Sequence, residues 1–265
     1  MKNITINTLL AMKQAGEKFS VLTAYDASFA SVLEQAGVEV ILVGDSLGMV
    51  IQGHETTLPV SMDDMVYHAA CVARKTNHVL LMVDMPFMSY ATVDQALTNA
   101  ARLMSEGGAH MVKLEGGSVQ LPVVQALTEQ GIPVCAHLGL QPQSVHKMGG
   151  YRVQGRDQTS ANSMLLDAEK LQQAGADMLL LECVPAILAN EITKNVGIPV
   201  IGIGAGACTD AQVLVLQDIL GITPGKPPRF SKDFMQGADS IQDAVKQYVD
   251  AVKQDMFPGK EHTFE

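Results

Sequence analysis

Five apolar runs in this chain end in a polar side chain, and this pattern constrains the fold more than any other feature. The runs lead into Asp45, Asp84, Glu115, His137 and Glu182. A short apolar run bounded by turn residues is typical of a parallel strand that is buried on both faces. Polar residues that end such strands meet at one edge of the sheet, where α/β enzymes form their active sites. The pattern therefore predicts an enzyme.

Strand and helix patterns alternate along the whole chain. The predicted strands are residues 20–25, 38–43, 79–83, 111–115, 134–138, 178–182, 200–203 and 212–216. The predicted helices are residues 29–35, 62–75, 93–106, 119–130, 161–174 and 184–195. Because this order runs through 265 residues without a break in composition, we predict a single (β/α)8 TIM barrel domain over residues 1–265. A doubly wound open sheet is the alternative.

Three further segments flank the repeated units. Residues 4–16 are expected to cover the bottom of the barrel, and residues 238–254 carry apolar side chains at helical spacing and predict a final helix. Residues 257–265 are expected to be poorly ordered or to pack on a neighbouring subunit.

Composition and charge narrow the class of protein. The net charge is -10 and basic residues do not cluster, which argues against nucleic acid or an anionic membrane as a partner. The four cysteines are scattered, as expected for reduced thiols. No apolar run approaches the roughly 20 residues of a membrane span, and no secretory signal is recognisable. We therefore expect a soluble, cytoplasmic protein.

Four of the strand-end residues are carboxylates: Asp45, Asp84, Glu115 and Glu182. Acids held close together raise one another's pKa unless a cation compensates. Oxygen ligands of this kind suit Mg²⁺, so the set predicts a magnesium site. The alternative is that some of these acids only cap the helices that follow their strands.

Lys113 and Glu115 lie two residues apart on one strand and face the same side. They are either a salt-bridged pair or a means to hold a substrate carboxylate beside a metal. Glu182 follows four apolar residues, surroundings that suit a general base, with a salt bridge or a supporting contact to a ligand as its alternative. His137 suits proton transfer or an orienting role equally.

Two glycine-rich turns, residues 44–48 and 201–206, allow close approach of backbone to a ligand or simply tight packing. Neither matches a Walker A motif or a dinucleotide fingerprint.

A series of short motifs, in this order, resembles the ketopantoate hydroxymethyltransferase family over nearly the whole chain. The motifs are Thr23-Ala24-Tyr25-Asp26, Gly44-Asp45-Ser46-Leu47-Gly48-Met49-Val50, Thr56-Thr57-Leu58-Pro59-Val60, Asp84-Met85-Pro86-Phe87-Met88-Ser89-Tyr90, Val112-Lys113-Leu114-Glu115-Gly116-Gly117, His137-Leu138-Gly139-Leu140, Pro142-Gln143-Ser144, Gly149-Gly150-Tyr151, Val153-Gln154-Gly155, Glu182-Cys183-Val184-Pro185 and Ile201-Gly202-Ile203-Gly204-Ala205-Gly206.

The resemblance implies a (β/α)8 barrel that transfers a hydroxymethyl group from 5,10-methylenetetrahydrofolate to 3-methyl-2-oxobutanoate, the first step toward pantothenate and coenzyme A. It implies Mg²⁺ as cofactor, a homodecamer as the assembly and Glu182 as the catalytic base. The implied metal ligands are Asp45, Asp84 and Glu115, and the implied substrate-binding residues are Asp45, Ser46, Asp84, Lys113 and His137.

The chain departs from the family pattern at two places: Ala211 stands where glycine is common, and Gln141 where threonine is common. A Mg²⁺-dependent 2-oxo acid lyase or mutase is the nearest alternative function, although the Lys-Lys-Cys-Gly-His string of isocitrate lyases is missing from the sequence. A catalytically silent barrel that acts as a binding scaffold is a second alternative, against which the retained strand-end acids argue.

Overall fold

A closed barrel of eight parallel strands forms the centre of the computed structural model, which describes residues 3–223 and 225–265. Each strand pairs with the next, and the last pairs with the first. The strands are β1 Phe19–Thr23, β2 Val40–Val43, β3 Leu80–Asp84, β4 Met111–Glu115, β5 Val134–Gly139, β6 Met178–Glu182, β7 Val200–Ile203 and β8 Ala211–Leu214. The closed order confirms the predicted TIM barrel and excludes the open sheet.

Helices surround the barrel and cover the outer faces of the strands. The α-helices are α1 Ile6–Ala15, α2 Ala27–Ala36, α3 Leu47–Val50, α4 Met62–Ala73, α5 Val93–Ser105, α6 Leu121–Glu129, α7 Val145–Met148, α8 Gln158–Gln173, α9 Ala186–Asn195, α10 Leu216–Ile219 and α11 Ile241–Lys253. Short 3-10 helices occupy Ser118–Gln120, Pro142–Ser144 and Lys260–His262. Both faces of the strands are thereby buried, which explains their continuous apolar sequences.

Local signals in the sequence determine where the long helices begin and end. Ser61 and Thr92 are the N-caps of α4 and α5, and each side chain accepts a hydrogen bond from a backbone N–H of the first turn. Gly37 ends α2 with a φ of 89°, a left-handed conformation that glycine adopts without strain. The short helices α3, α7 and α10 have no side-chain hydrogen bond at their N-caps, and the sequence did not predict them.

Helix α1 covers the bottom of the barrel, as predicted. The Nζ atom of Lys13 donates to Asp210 Oδ2 at 2.8 Å and to the carbonyl of Thr193 at 2.9 Å. The same Asp210 oxygen accepts from the backbone N–H of Val200 at 2.8 Å, at the start of β7. These contacts join the N-terminal helix to the strand starts, so the opposite end of the barrel is left for a site.

Helix α11 packs over the junction between the first and last strands. The hydroxyl of Tyr248, a fully buried residue, lies 3.0 Å from the carbonyl of Val21 and 2.8 Å from that of Gln212. A buried tyrosine needs such a polar partner for its hydroxyl. The predicted final helix is therefore present, and it stabilises the closure of the barrel.

The C-terminal tail, residues 257–265, packs on its own barrel. Phe257 is buried, and its ring centroid lies 5.6 Å from that of Phe234 and 5.9 Å from that of Tyr248. The carbonyl of Phe264 accepts from the backbone N–H of Ala186 at 3.0 Å. The expectation of a poorly ordered tail is wrong, because its aromatic side chains pack on an apolar surface of the same chain. The alternative of contact with a neighbouring subunit stays a prediction.

Candidate active site

One cavity of about 520 Å³ opens at the carboxyl ends of the strands. All of the sequence-predicted site residues line it: Asp45, Ser46, Asp84, Lys113, Glu115, His137 and Glu182. The structure therefore brings together the side chains that the sequence singled out.

The register of the parallel strands determines which of these side chains are neighbours. Asp84 on β3 pairs with Lys113 on β4, and Glu115 on β4 pairs with His137 on β5. Since residues two apart on a strand face the same side, Lys113 and Glu115 both point into the cavity. The site is thus a consequence of strand register and needs no special loop for its central part.

Asp84 and Lys113 form a buried ion pair at the floor of the cavity. Asp84 Oδ1 lies 2.9 Å from Lys113 Nζ, and Asp84 Oδ2 accepts from the backbone N–H of Asp45 at 3.0 Å. Burial acts against the lysine charge, but attraction by Asp84, Glu115 and Asp45 outweighs it and raises the pKa of Lys113. The lysine is therefore cationic. Its ion-pair partner is Asp84 and not Glu115, so the structure does not support the alternative of a Lys113–Glu115 salt bridge.

Gln143, which sequence reasoning did not single out, connects the carboxylates. Its Nε2 donates to Asp45 Oδ2 at 2.8 Å and to the carbonyl of Met85 at 2.9 Å, and its backbone N–H donates to Glu115 Oε2 at 3.1 Å. Gln143 lies in a 3-10 helix just after β5, within one of the quoted motifs. Its neutral side chain gave no chemical signal in the sequence, because an amide that only orients acids resembles any other polar loop residue.

Two tyrosines support the site in a similar way. The Tyr90 hydroxyl accepts from the backbone N–H of Glu115 at 3.2 Å and donates to Gln143 Oε1. The Tyr25 hydroxyl lies 2.9 Å from Ser46 Oγ. Both tyrosines are buried, so these contacts hold the serine and the end of β4 in fixed positions.

Burial and mutual repulsion raise the pKa of two acids on the cavity floor, Asp45 and Glu115. Burial, followed by the charge of Asp84, raises the pKa of Asp45 to about 7. Burial, followed by the charge of Asp45, also raises the pKa of Glu115 well above its ordinary value. One lysine does not compensate the whole acidic set, so the cavity attracts additional positive charge.

His137 lies between Lys113 and Glu182. Its Nδ1 is 3.2 Å from Lys113 Nζ, and its Nε2 is 3.4 Å from Glu182 Oε2. Burial, and then the charge of Lys113, lower the pKa of His137 well below 6.5, so the ring is neutral. Because an ammonium only donates, we assign Nδ1 as the acceptor and the ring proton to Nε2, which faces Glu182.

Glu182 ends β6 with its carboxylate directed into the cavity. Its side chain is 15% exposed, and no side chain or backbone N–H within residues 3–223 and 225–265 donates a hydrogen bond to it. Burial is the main cause that raises the pKa of Glu182 to about 8, against the opposing attraction of Lys113. The direction that the sequence left open is therefore upward, as a general base requires.

The backbone around Glu182 is tightly held. Its carbonyl accepts from the N–H of Leu140 at 2.8 Å, and the N–H of Cys183 donates to the carbonyl of Ile203 at 2.9 Å. Cys183 has a φ of 48°, a strained value for a residue with a side chain. Gly139, with a φ of 91°, leaves no room for a Cβ, which would lie 2.2 Å from the Glu182 carbonyl oxygen. These contacts fix the direction of the Glu182 side chain.

The acidic floor fits a divalent cation. Asp84 Oδ1 is buried and, within residues 3–223 and 225–265, forms no hydrogen bond, although Lys113 Nζ lies 2.9 Å from it. Among the described residues, no three His, Cys, Asp or Glu side chains converge closely enough to hold a metal by themselves. Mg²⁺ commonly uses one or two carboxylates and keeps several waters. Two neighbouring carboxylates such as Asp45 and Asp84 meet that requirement.

Comparison with known proteins identifies the family. The model of the ketopantoate hydroxymethyltransferase family matches residues 3–260. The chain belongs to this family. The 3-methyl-2-oxobutanoate hydroxymethyltransferase of Marinobacter nauticus is 61% identical over 261 residues, which cover 98% of each chain. The enzyme of the same name from Shewanella sediminis is 56% identical over 264 residues, which cover all of both chains.

Solved structures with the same barrel include more distant enzymes. A phosphonopyruvate hydrolase in complex with oxalate and Mg²⁺ has a TM-score of 0.60 at 14% identity and covers 80% of both chains. An oxaloacetate acetylhydrolase has a TM-score of 0.60 at 12% identity, with 97% of this chain and 98% of the other covered. At such identities the likeness extends to the fold alone. The alternative of a lyase or mutase therefore gains no support beyond the shared barrel, whereas the hydroxymethyltransferase family is matched along the chain.

Across the part of the chain that the structure describes, no helix is both long and apolar enough to cross a membrane.

Proposed function

We propose that this protein transfers a hydroxymethyl group from 5,10-methylenetetrahydrofolate to 3-methyl-2-oxobutanoate and so forms 2-dehydropantoate. The relatives that carry the corresponding name support this reaction at up to 61% identity. The acidic cavity at the strand ends supports it independently, because a carbon beside a ketone loses its proton readily only where a base and positive charge are both provided.

Residues on β2, β3 and β4 would hold the metal and the oxo acid. We assign Asp45 and Asp84 as ligands of Mg²⁺, with Glu115 completing the site directly or through water. When bound, Mg²⁺ would supply the positive charge that stabilises the enolate oxygen of the oxo acid. The ammonium of Lys113 and the hydroxyl of Ser46 both line the cavity and would bind the substrate carboxylate.

Glu182 would act as the catalytic base. It removes the proton from C3 of the oxo acid, and that carbon then bonds to the one-carbon unit of the folate. Both C–N bonds of the methylene group break: the oxygen of water goes to that carbon, and its two hydrogens go to the two nitrogens of tetrahydrofolate, which leaves. The C3 proton taken by Glu182 goes to the new hydroxyl oxygen. The neutral ring of His137 lies between the base and the substrate-binding lysine, with Nε2 3.4 Å from Glu182 Oε2 and Nδ1 3.2 Å from Lys113 Nζ.

The single observation that carries the proposal is the separation of Glu182 from the other acids. Asp45 accepts a hydrogen bond from Gln143, and Asp84 contacts Lys113 and the backbone N–H of Asp45. Among the described residues, the carboxylate of Glu182 lies within ion-pair distance of His137 alone. A carboxylate with a raised pKa and free oxygens is suited to take a proton, whereas hydrogen-bonded carboxylates beside a lysine are suited to bind a cation.

The direct test is formation of 2-dehydropantoate from both substrates in the presence of Mg²⁺, followed by mass spectrometry. The control is the same mixture with EDTA, which should give no product. Absence of product from the parent protein at any Mg²⁺ concentration would refute the proposed reaction.

The proposal extends to the setting of the enzyme. We propose that residues 1–265 act as one domain in a cytoplasmic homodecamer. Sedimentation equilibrium of the purified chain tests the assembly, and a mass other than ten copies would refute it.

A further inference from the structure

The cavity has an upper wall that differs from its acidic floor. Phe230 and Phe264 line this wall, and Lys226 and Arg229 lie at its rim. A five-carbon oxo acid occupies only part of about 520 Å³, which lies in the range of volumes that hold drug-sized ligands. The upper wall therefore borders space that the oxo acid does not need.

The glycine-rich turn after β7 allows the C-terminal tail to form this wall. A Cβ at Gly204 would lie 3.0 Å from both the Phe230 and the Phe264 rings, and a Cβ at Gly206 would lie 3.4 Å from the Thr263 side chain. The carbonyl of Phe264 accepts from the N–H of Ala186 at 3.0 Å. The missing Cβ at Gly204 thus leaves room for the two rings beside the turn, which gives a packing reason for this part of the glycine-rich motif.

The cations at the rim are available to a ligand. Arg229 lies over the Phe264 ring at 5.5 Å from its centroid and donates from Nε to the carbonyl of Glu261 at 3.1 Å. Lys226 is exposed. Within residues 3–223 and 225–265, neither cation forms an ion pair with a carboxylate, although the chain has a net charge of -10.

We propose that this wall of the C-terminal tail binds the one-carbon donor, an inference that rests on the proposed function. The rings of Phe230 and Phe264 contact the flat heterocycle of the folate. Lys226 and Arg229 bind the carboxylates of its glutamate tail at the rim. Such a ligand requires an aromatic side chain to contact its flat ring. It also requires cationic side chains to bind its exposed carboxylates.

The oxo acid is less suited than the folate to bind at this wall. Its carboxylate has a cationic partner on the floor in Lys113, and its carbon C3 must lie within reach of Glu182. The oxo acid has only a short aliphatic group and no flat ring that could stack on Phe264. A ligand that extends from the base to the rim is needed to use both halves of the cavity.

Anaerobic calorimetric titration with tetrahydrofolate tests the proposal without requiring turnover. Phe264→Ala should raise the Kd about 5- to 100-fold, as expected for the loss of an aromatic stacking partner. Phe264→Leu, which keeps apolar packing against Gly204, should raise it less. Lys226→Gln should raise the Kd up to about 5-fold and should reduce the preference for tetrahydrofolate carrying five glutamates over one. Lys260→Gln removes a cation from the exposed tail outside the cavity and is the matched control.

Exchange of the C3 hydrogen of the oxo acid into D₂O, measured without folate, separates this proposal from the proposed function. The tail variants should exchange at the parent rate. Parent-like folate affinity in Phe264→Ala would overturn the ring assignment, and an unchanged glutamate preference in Lys226→Gln would overturn the rim assignment. Exchange that falls in parallel with folate affinity would also overturn the proposal, because the tail would then support the whole site. No exchange in the parent itself would refute the proposed function instead.

Discussion

Glu182→Gln should make the metal-free protein more stable at alkaline pH. Burial raises the pKa of Glu182 from 4.5 to about 8, so the folded protein keeps this proton over a range in which the unfolded chain has lost it. The parent's free energy of unfolding should therefore fall as pH rises through this range and level off above about pH 8. Because glutamine cannot ionise, the free energy of unfolding of the variant should not fall in this way as pH rises.

The size of the effect follows from the same two pKa values. Each pKa unit corresponds to about 1.4 kcal/mol, so the buried carboxyl costs the parent about 4 kcal/mol at pH 8 relative to its neutral isostere. At pH 5, near the pKa of Glu182 in the unfolded chain, the buried carboxyl lowers the stability of the parent by less than about 1 kcal/mol. The variant should thus exceed the parent in stability at pH 8 and nearly match it at pH 5.

Urea unfolding in EDTA at the two pH values measures this difference directly. Glu169→Gln, at an exposed position on α8, is the matched control and should not change stability at either pH. If Glu182→Gln were no more stable than the parent at pH 8, ionisation of the buried carboxyl would not be what destabilises the parent. A stability gain of equal size at pH 5 would also contradict the prediction, because titration of Glu182 could not then be its cause.

Three further predictions concern the rest of the site. Asp84→Asn should lose the thermal stabilisation that Mg²⁺ gives the parent, and an unchanged Mg²⁺ response in differential scanning fluorimetry would contradict the metal assignment. Borohydride added with the oxo acid should trap no adduct on Lys113, because the nearby acids keep the lysine protonated and a protonated amine is a poor nucleophile; a stable adduct detected by mass spectrometry would favour an imine mechanism. Gly139→Ala should reduce turnover at least tenfold, because its Cβ would lie 2.2 Å from the Glu182 carbonyl oxygen and displace the base; parent-like turnover would show that β6 accommodates the change.

The sequence predicted the barrel because its strands carry a strong signal. Strands buried on both faces need unbroken apolar runs, and every predicted strand end lies within two residues of the observed one. The positions of Asp84, Lys113 and Glu182 followed, because parallel strands bring their carboxyl ends to one rim. The family resemblance added roles that the strand pattern alone left open.

The features that the sequence did not predict depend on contacts between distant segments. Gln143 is important only because the loop after β5 turns back over β2 and β4, and its amide has no periodicity or charge to mark it. The ion pair of Lys113 with Asp84 depends on the register between β3 and β4. The docking of Phe264 requires a turn without side chains at Gly204, and glycine alone does not reveal what will approach it.

Removal of the C3 proton of the oxo acid by Glu182 can be followed by hydrogen exchange. The parent and Glu182→Gln are each incubated with Mg²⁺ and 3-methyl-2-oxobutanoate in D₂O without folate, and loss of the C3 proton signal is followed by NMR. We predict exchange by the parent, with a rate that falls as pH drops below the pKa of Glu182, and a rate about 10²–10⁴-fold lower in the variant. Exchange by Glu182→Gln at the parent rate would contradict the account and make His137 the next candidate for the base.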